Sequence, residues 1–370
     1  MPKKRTRTVD YYFEKVQDPR HHNTIHKLID IIILSVSAVV AGADTYEQIE
    51  QFGKKRIKWL KKFLELPAGI PSHDTIGRVF EKINPDEFQN SFMFWIESIT
   101  ERTRGQVIAI DGKTLRRSHD RSKDKKAIHM ISAWAASNKV VLGQLKTAEK
   151  SNEITAIPRL LKLLDISGCI ITIDAMGTQK KIAGTIIENG GDYVLALKEN
   201  HKDLYSDTKA FFEDADSQGE TSRHETTDGS HGRIETRKYR LTSDIEWLQG
   251  KENWPGIKSI GMVESTREIN GEVNTEKRYY ISSLESDAKK FGHSVRSHWG
   301  IENKLHWVLD IAFREDESRI RKGNAPENFA VLRHIALNLI RNNKTFKGSI
   351  KTKRFSAALD VDYLEEIMFT

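Results

Sequence analysis

The sequence predicts an α/β protein, with a mixed sheet core that carries an antiparallel β insertion and follows an N-terminal helical domain. Three observations predict it. The opening hundred or so residues show helical periodicity with capping signals, short β-branched runs alternate with helical ones from Gln106, and alternating segments flank an Asn270-Gly271 hairpin signal further on. At 370 residues the chain is long for one core. The pattern divides it into 1–104 (helical), 105–215 (first part of the core), 216–284 (β insertion), 285–343 (end of the core) and 344–370 (a basic C-terminal tail).

The helical part opens with a flexible basic arm, Pro2-Lys3-Lys4-Arg5, and includes an apolar run from Ile31 to Ala43. Ser35 and Ser37 interrupt that run, and it falls short of the roughly 20 residues of a membrane span, so it reads as a buried helix with no membrane partner. Thr45 and Gln48 stand at capping-box spacing before Ile49, Phe52, Ile57, Leu60, Phe63 and Leu64, and Pro67 breaks the segment. Its polar side carries Lys54, Lys55, Arg56, Lys58, Lys61 and Lys62. A third helix follows Pro71-Ser72, and a fourth begins at Asn84-Pro85-Asp86-Glu87: an N-cap, a first-position proline and early acids.

Strands are expected at about 107–115, 127–137, 139–147, 169–174 and 193–197, with helices around 158–164, 178–189 and 201–214. After a polar stretch from Asp214 to Gly232, segments at 233–242, 257–269 and 275–283 read as antiparallel strands. A helix from Asp287 to Phe313 places Ile301, Leu305, Val308, Leu309 and Ala312 on one stripe, with Glu302 at its margin beside His306. A last helix runs from Pro326 to Arg341, and Lys344, Lys347, Lys351, Lys353 and Arg354 follow.

Two strands end in aspartate: Val107-Ile108-Ala109-Ile110-Asp111 and Ile170-Ile171-Thr172-Ile173-Asp174. Ligands gather at the carboxyl ends of parallel strands, so two such neighbours present both carboxylates at one sheet edge, and Glu302 from a helix supplies a third. Clustered carboxylates repel unless cations neutralise them. Mg²⁺ suits such a set, because it takes hard oxygen ligands and keeps positions for water and phosphate oxygens. Two ions about 3.5–4 Å apart serve the attacking and leaving oxygens of a phosphodiester displacement. Each aspartate taken singly is equally a turn or N-cap residue.

The net charge of +7, with 30% charged residues of both signs, favours an anionic partner. The single cysteine, Cys169, excludes a disulfide framework and a Cys-based zinc cage, and indicates a reducing, cytoplasmic compartment.

Three segments carry a resemblance: Ala109-Ile110-Asp111-Gly112-Lys113-Thr114-Leu115-Arg116, Thr172-Ile173-Asp174-Ala175-Met176-Gly177-Thr178-Gln179, and the run from His298-Trp299-Gly300-Ile301-Glu302 to Asp310. They resemble the signatures of the DDE transposases of bacterial insertion sequences, in the group containing the H-repeat-associated proteins of Rhs elements. Asn152-Glu153-Ile154, Gly232-Arg233-Ile234-Glu235, Asn324-Ala325-Pro326-Glu327-Asn328 and Ala336-Leu337-Asn338-Leu339 agree, so the resemblance covers nearly the whole chain. It implies a ribonuclease H-like mixed sheet core, with Asp111, Asp174 and Glu302 as the catalytic, metal-binding triad for two Mg²⁺ ions, Mn²⁺ being able to substitute. It further implies an N-terminal helical domain that contacts element ends, cleavage of double-stranded DNA at terminal inverted repeats, and 3′-OH strand transfer into target DNA. Joining two ends argues for a homodimer. Many related transposases carry an Arg four residues before the glutamate and a Lys seven after it, positions held here by His298 and Leu309.

The candidate DNA contacts are Lys54, Lys55, Arg56, Lys58, Lys113, Gln179, Arg296, His298 and Trp299. Lys113 and Gln179, each just beyond a triad aspartate, suit the orientation of phosphate or water, and equally a turn and a helix start. Trp299 and Trp307 suit base stacking or core packing, and the basic runs at 54–62 and 344–354 suit phosphates or a solvated helix face. His298, Glu302, His306 and Asp310, spaced four apart, admit a zinc hydrolase, although the compact zincin motif, with glutamate directly after the first histidine, is absent. Two further readings are a degenerate transposase that binds DNA without cutting it, and a glycosidase that uses a carboxylate pair without metal.

Overall fold

A computed structural model describes residues 8–20, 24–100, 105–119, 126–147, 153–214, 221–230 and 233–369. The basic arm Pro2-Lys3-Lys4-Arg5, Asn152, Gly232 and part of the polar stretch before Gly232 lie outside the described residues.

The N-terminal part is helical: α1 (Val9–Phe13), α2 (Leu28–Val40), α3 (Tyr46–Leu60), α4 (His73–Lys82) and α5 (Pro85–Ile99). Helix α2 is buried on nearly every side, and the Ser35 hydroxyl is accommodated by donating to Ile31 O at 2.7 Å. The start of α3 is capped as its spacing indicates. Thr45 Oγ1 accepts from the Gln48 N–H at 3.3 Å, and Gln48 Oε1 accepts from the Asp44 N–H at 2.7 Å. Asn84 Oδ1 caps α5 by accepting from the N–H groups of Asp86 (2.9 Å) and Glu87 (3.4 Å). The chain returns to this layer through α11 (Ala325–Asn342), which packs against α2, α4 and α5 and also against strand β3 (Val140–Thr147). One continuous core therefore joins the two ends of the chain.

The remaining strands are β1 (Val107–Thr114), β2 (His129–Ala135), β4 (Ile170–Ile173), β5 (Asp192–Leu197), β6 (Ser222–Ser230), β7 (Arg233–Thr242), β8 (Ser259–Ile269) and β9 (Glu272–Ser282). Together with β3 they form one sheet in the order β3-β2-β1-β4-β5-β9-β8-β7-β6. The β1–β4 and β4–β5 pairs are parallel and all others antiparallel. The strands of the expected insertion extend the core sheet, since β9 pairs with β5 from Val194↔Ser282 to Leu197↔Tyr279. Asn270 and Gly271 turn β8 into β9 with positive φ of 52° and 84°. Strand β6 falls where the sequence shows only a polar stretch. It pairs with β7 along its whole length through backbone groups, and as an edge strand it needs no continuous apolar face.

Helices α6 (Glu153–Leu163), α7 (Lys180–Glu188) and α8 (Lys202–Glu213) connect the strands. The helix expected from Asp287 to Phe313 is not uniform: α9 (Ala288–Gly300) passes into a π-helical turn, Ile301–His306, and then into α10 (Trp307–Phe313). The stretch expected as a basic tail instead forms α12 (Ile350–Leu359) and α13 (Val361–Phe369), with Ala357, Leu364, Ile367 and Met368 buried. Two of the basic residues of that run point inward. Lys353 Nζ donates to Ile340 O (3.2 Å) and Asn343 O (2.6 Å), and Arg354 caps the carbonyl end of α2, donating to Val39 O at 3.1 and 2.9 Å. Among the described residues no helix is long and apolar enough to cross a membrane.

Candidate active site

Strands β1 and β4 run parallel with Ile110 opposite Ile173, so Asp111 and Asp174 are the next residues along each strand, at the carboxyl edge of the sheet. Strand β4 stops there because Asp174 starts a turn, its Oδ1 accepting from the Gly177 N–H at 3.1 Å. Strand β1 continues to Thr114 with only β2 beside it, which opens one side of the edge. Asp111 Oδ1 accepts from the Gly112 N–H at 2.8 Å, and Oδ2 stands 3.5 Å from His306 Nδ1.

Glu302 lies in the π-helical turn, exposed, between the buried Ile301 and Leu305 that anchor the turn to the core. A π-turn adds a residue to the helical repeat, and such turns often accompany functional positions. Burial raises the Asp111 carboxyl to about 7, opposed by its hydrogen bond from Gly112 and reinforced by the like charges of Asp174, Glu302 and Glu153. A half-buried carboxyl that other acids hinder from ionising is relieved by a cation, so the chemistry of the donor set suits a hard divalent metal. Among the described residues, no group of three or more His, Cys, Asp or Glu side chains is placed to hold a metal ion.

A family model for the transposase DDE domain matches residues 102–339, and a second model, for the region associated with that domain, matches residues 11–96. The chain belongs to the DDE transposase family. It is similar to "Putative transposase YncI" of Escherichia coli O157:H7, 45% identical over 364 residues, covering 96% of this chain and 93% of that one. It is also similar to "H repeat-associated putative transposase YhhI" of Escherichia coli K12, at 44% identity over 353 residues, covering 93% and 92% of the two chains. Among solved structures, a piggyBac transposase synaptic complex with hairpin DNA overlays 98% of this chain and 77% of its own at a TM-score of 0.42 and 12% identity, too loose a likeness to build on.

The other sequence-derived candidates of this DDE transposase fall in different settings. Lys113 is drawn into an acidic cluster: its ammonium pairs with Asp310 and Glu315 and stands 3.7 Å from Asp316 Oδ1, so it is occupied within the protein and not presented to a phosphate. His298 Nδ1 shares a hydrogen bond with Thr172 Oγ1 at 3.0 Å, and burial lowers its pKa to about 4, leaving a neutral imidazole at neutral pH. This partner and the π-turn remove the regular four-residue ladder on which a zinc reading relied. Gln179 stands at the start of α7, its Nε2 donating to Met176 O at 3.4 Å.

Arg296 is exposed on α9, 3.8 Å from Asp228 Oδ2, and the Arg278 guanidinium lies over the Trp299 ring at 4.6 Å. Trp307 is 60% exposed. On α3, Lys54 pairs with Glu50 and Arg56 donates to Ala358 O at 2.7 Å, while Lys55 and Lys58 are exposed. Sequence reasoning missed Glu315, His129 and Glu153 as neighbours of the site, and it placed Asp310 only in a four-residue ladder, not as a partner of Lys113. Glu153 is visible in the sequence only as part of Asn152-Glu153-Ile154, with no periodic or spacing signal to tie it to Asp111.

Proposed function

We propose that this protein is a DNA transposase with a ribonuclease H-like core, whose Asp111, Asp174 and Glu302 hold two Mg²⁺ ions, Mn²⁺ being able to replace them. The observation that carries the reading is the in-register placement of Asp111 and Asp174 at one open sheet edge, with the charge of Glu302 felt by Asp111. The strand order β3-β2-β1-β4-β5, with the two aspartates at the ends of parallel β1 and β4, supports the ribonuclease H-like assignment. When bound, such ions activate the attacking oxygen and stabilise the leaving one in an in-line displacement at phosphorus.

The residues of the chain then divide the remaining work. Asp111, whose ionisation its burial and neighbouring acids oppose, would hold the ions together with Asp174 and Glu302, which would supply oxygen ligands from the neighbouring strand and the π-turn. Neutral His298 steadies Thr172 beneath the site and leaves the local charge to the carboxylates. A groove of about 430 Å³ on the segment that bears Glu302 is lined by Arg296, Trp299, Asn303 and Lys304, groups suited to a phosphodiester backbone and exposed bases. The exposed Lys55 and Lys58 suit contacts to the double-stranded terminal repeats. Cleavage there frees a 3′-OH that attacks target DNA at the same centre, and bringing two ends together calls for a homodimer.

The test is cleavage of DNA carrying the flanking terminal repeats by wild type and Asp174→Ala with Mg²⁺, and by wild type with EDTA. Cutting by wild type alone, abolished by EDTA, is expected. Equal cutting by both proteins would sink the reading, and repeat binding without cutting by wild type would identify a degenerate, DNA-binding transposase.

A further inference from the structure

A buried acid and imidazole lie behind Asp111, and the three-carboxylate reading gives them no role. Glu153, the first residue of α6, is only 5% exposed, and its Oε1 is hydrogen-bonded to His129 Nε2 on β2 at 2.5 Å. The other imidazole nitrogen, Nδ1, meets Thr114 Oγ1 at 2.9 Å. A single hydrogen-bonded chain thus ties the start of α6 to the ends of β1 and β2.

The middle of that chain rests on Gly112. A methyl group at Gly112 would collide with both Glu153 Oε1 and His129 Nε2. Gly112 is not among the residues with positive φ, so the close approach, and not an unusual dihedral, demands glycine here. Side chains alternate along a strand, so the pair bears on β1 from the face opposite Asp111, one residue further along. Apolar packing would support a strand end at less cost than a buried carboxylate whose charge reaches Asp111, because acids of like charge oppose one another's ionisation.

We propose that Glu153 is a positioning residue of the catalytic centre: held by His129 against Gly112, it fixes the end of β1 that carries Asp111 and adds a fourth negative charge that favours divalent cations. The inference rests on the reading of Asp111, Asp174 and Glu302 as the metal-binding triad. Asp111 senses the charge of Glu153 together with those of Asp174 and Glu302.

The experiment is a Mg²⁺ titration of the DNA-free full-length protein by calorimetry, alongside its thermal midpoint, for wild type, Glu153→Gln and Asp174→Ala. Glutamine keeps the shape and a partner for His129 while removing the charge. Glu153→Gln is expected to need about 10–100-fold more Mg²⁺ for half-saturation, the loss usual for residues that support metal ligands. Its metal-free thermal midpoint should not fall, because one of four like charges is gone. A wild-type Mg²⁺ curve for Glu153→Gln would overturn the proposal whatever the midpoint. If that variant does not fold, Glu153→Asp, which withdraws the carboxylate by one methylene, takes its place with the same readout, and an unchanged Mg²⁺ requirement is again fatal. Asp174→Ala separates the two readings: wild-type Mg²⁺ affinity in that variant would sink the triad itself, whereas weakened affinity there with a wild-type curve for Glu153→Gln sinks only the role of Glu153.

Discussion

Lys113 Nζ stands 2.8 Å from Glu315 Oε2, joining the strand that carries Asp111 to the turn that ends the Glu302 helix. Asp310 on α10 takes the same ammonium, and an Arg333 guanidinium nitrogen lies 3.6 Å from Glu315 Oε1. Burial works against the Lys113 charge, yet Glu315 and Asp310 outweigh it and raise the pKa of the ammonium. Burial likewise opposes the Glu315 charge, but Lys113 and Arg333 hold its carboxyl at about 2. The two limbs that bring Asp111 and Glu302 together are therefore clamped by a buried ion pair.

Lys113→Met should cost about 3–5 kcal/mol, because a buried cluster that loses its ammonium leaves Asp310 and Glu315 with only the more distant Arg333 to offset them. Denaturant unfolding checks this. Adding Glu315→Gln should cost much less than it does in the wild-type background, since the charge left stranded is then removed. Additive losses in the double variant would show that the two residues do not act as a clamp.

The strand-ending aspartates are legible because β-branched runs announce buried strands and aspartate announces a turn. The caps at Thr45 and Asn84 and the Asn270-Gly271 turn follow from side-chain chemistry acting within a few residues, and they appear where that chemistry puts them. The π-turn at Ile301–His306 leaves no such trace, since its winding depends on what the segment packs against. Strand β6, Ser222–Ser230, has no apolar alternation and is recruited by the backbone of β7. Lys353 and Arg354 read as surface charge because their acceptors are carbonyls far away in the chain, as with Val39 for Arg354, or exposed by the end of α11, as with Asn343 for Lys353. Lys113 reads as a phosphate contact or a turn residue for the same reason: its partners are about two hundred residues downstream.

Asn338, wholly buried on α11, acts as a strand neighbour for the edge strand β3. Its Oδ1 accepts from the Val141 N–H at 3.0 Å and its Nδ2 donates to Val141 O at 2.9 Å. The bond pair falls where the β2–β3 register shifts beside Trp134. Asn338→Leu should lose about 2 kcal/mol or more, because a buried donor and acceptor are both left unpaired. Asn338→Asp should be worse at neutral pH, with a carboxylate oxygen facing a carbonyl, and should recover as the carboxyl is protonated. A denaturation series at pH 7 and pH 4 reads both effects, and equal losses at the two pH values would contradict this account.

His334 supplies a pH dependence of known sign. Burial lowers its pKa to about 4, and in the unfolded chain it titrates near 6.5. Between those values the unfolded state binds the extra proton, so stability falls as pH drops through this window and levels off below about 4. The slope from this one group is about 1.4 kcal/mol per pH unit. His334→Phe should flatten the stability profile by that amount between pH 6.5 and pH 4 and leave its shape above pH 7 unchanged. An identical slope in the variant would mean that His334 is protonated in the folded protein.

Arg354 and the α3 lysines make opposite demands on a DNA-binding measurement, although all are basic residues of runs that could have tracked phosphate. The Arg354 guanidinium donates to Val39 O, Ala43 O (3.3 Å) and Asp44 Oδ1 (3.1 Å), as well as to Ala312 O at the end of α10. Arg354→Met should lower the unfolding midpoint while leaving the slope of log affinity against log salt unchanged at temperatures where it stays folded. Lys55 and Lys58 are exposed on α3, so Lys55→Ala with Lys58→Ala should leave stability within about 0.5 kcal/mol of wild type. The same pair should reduce the salt slope by about 0.9 for each phosphate it no longer neutralises. A slope unchanged by the double lysine variant would remove α3 from the DNA interface, and a slope reduced by Arg354→Met would require that guanidinium to leave the α2 carbonyls when DNA binds.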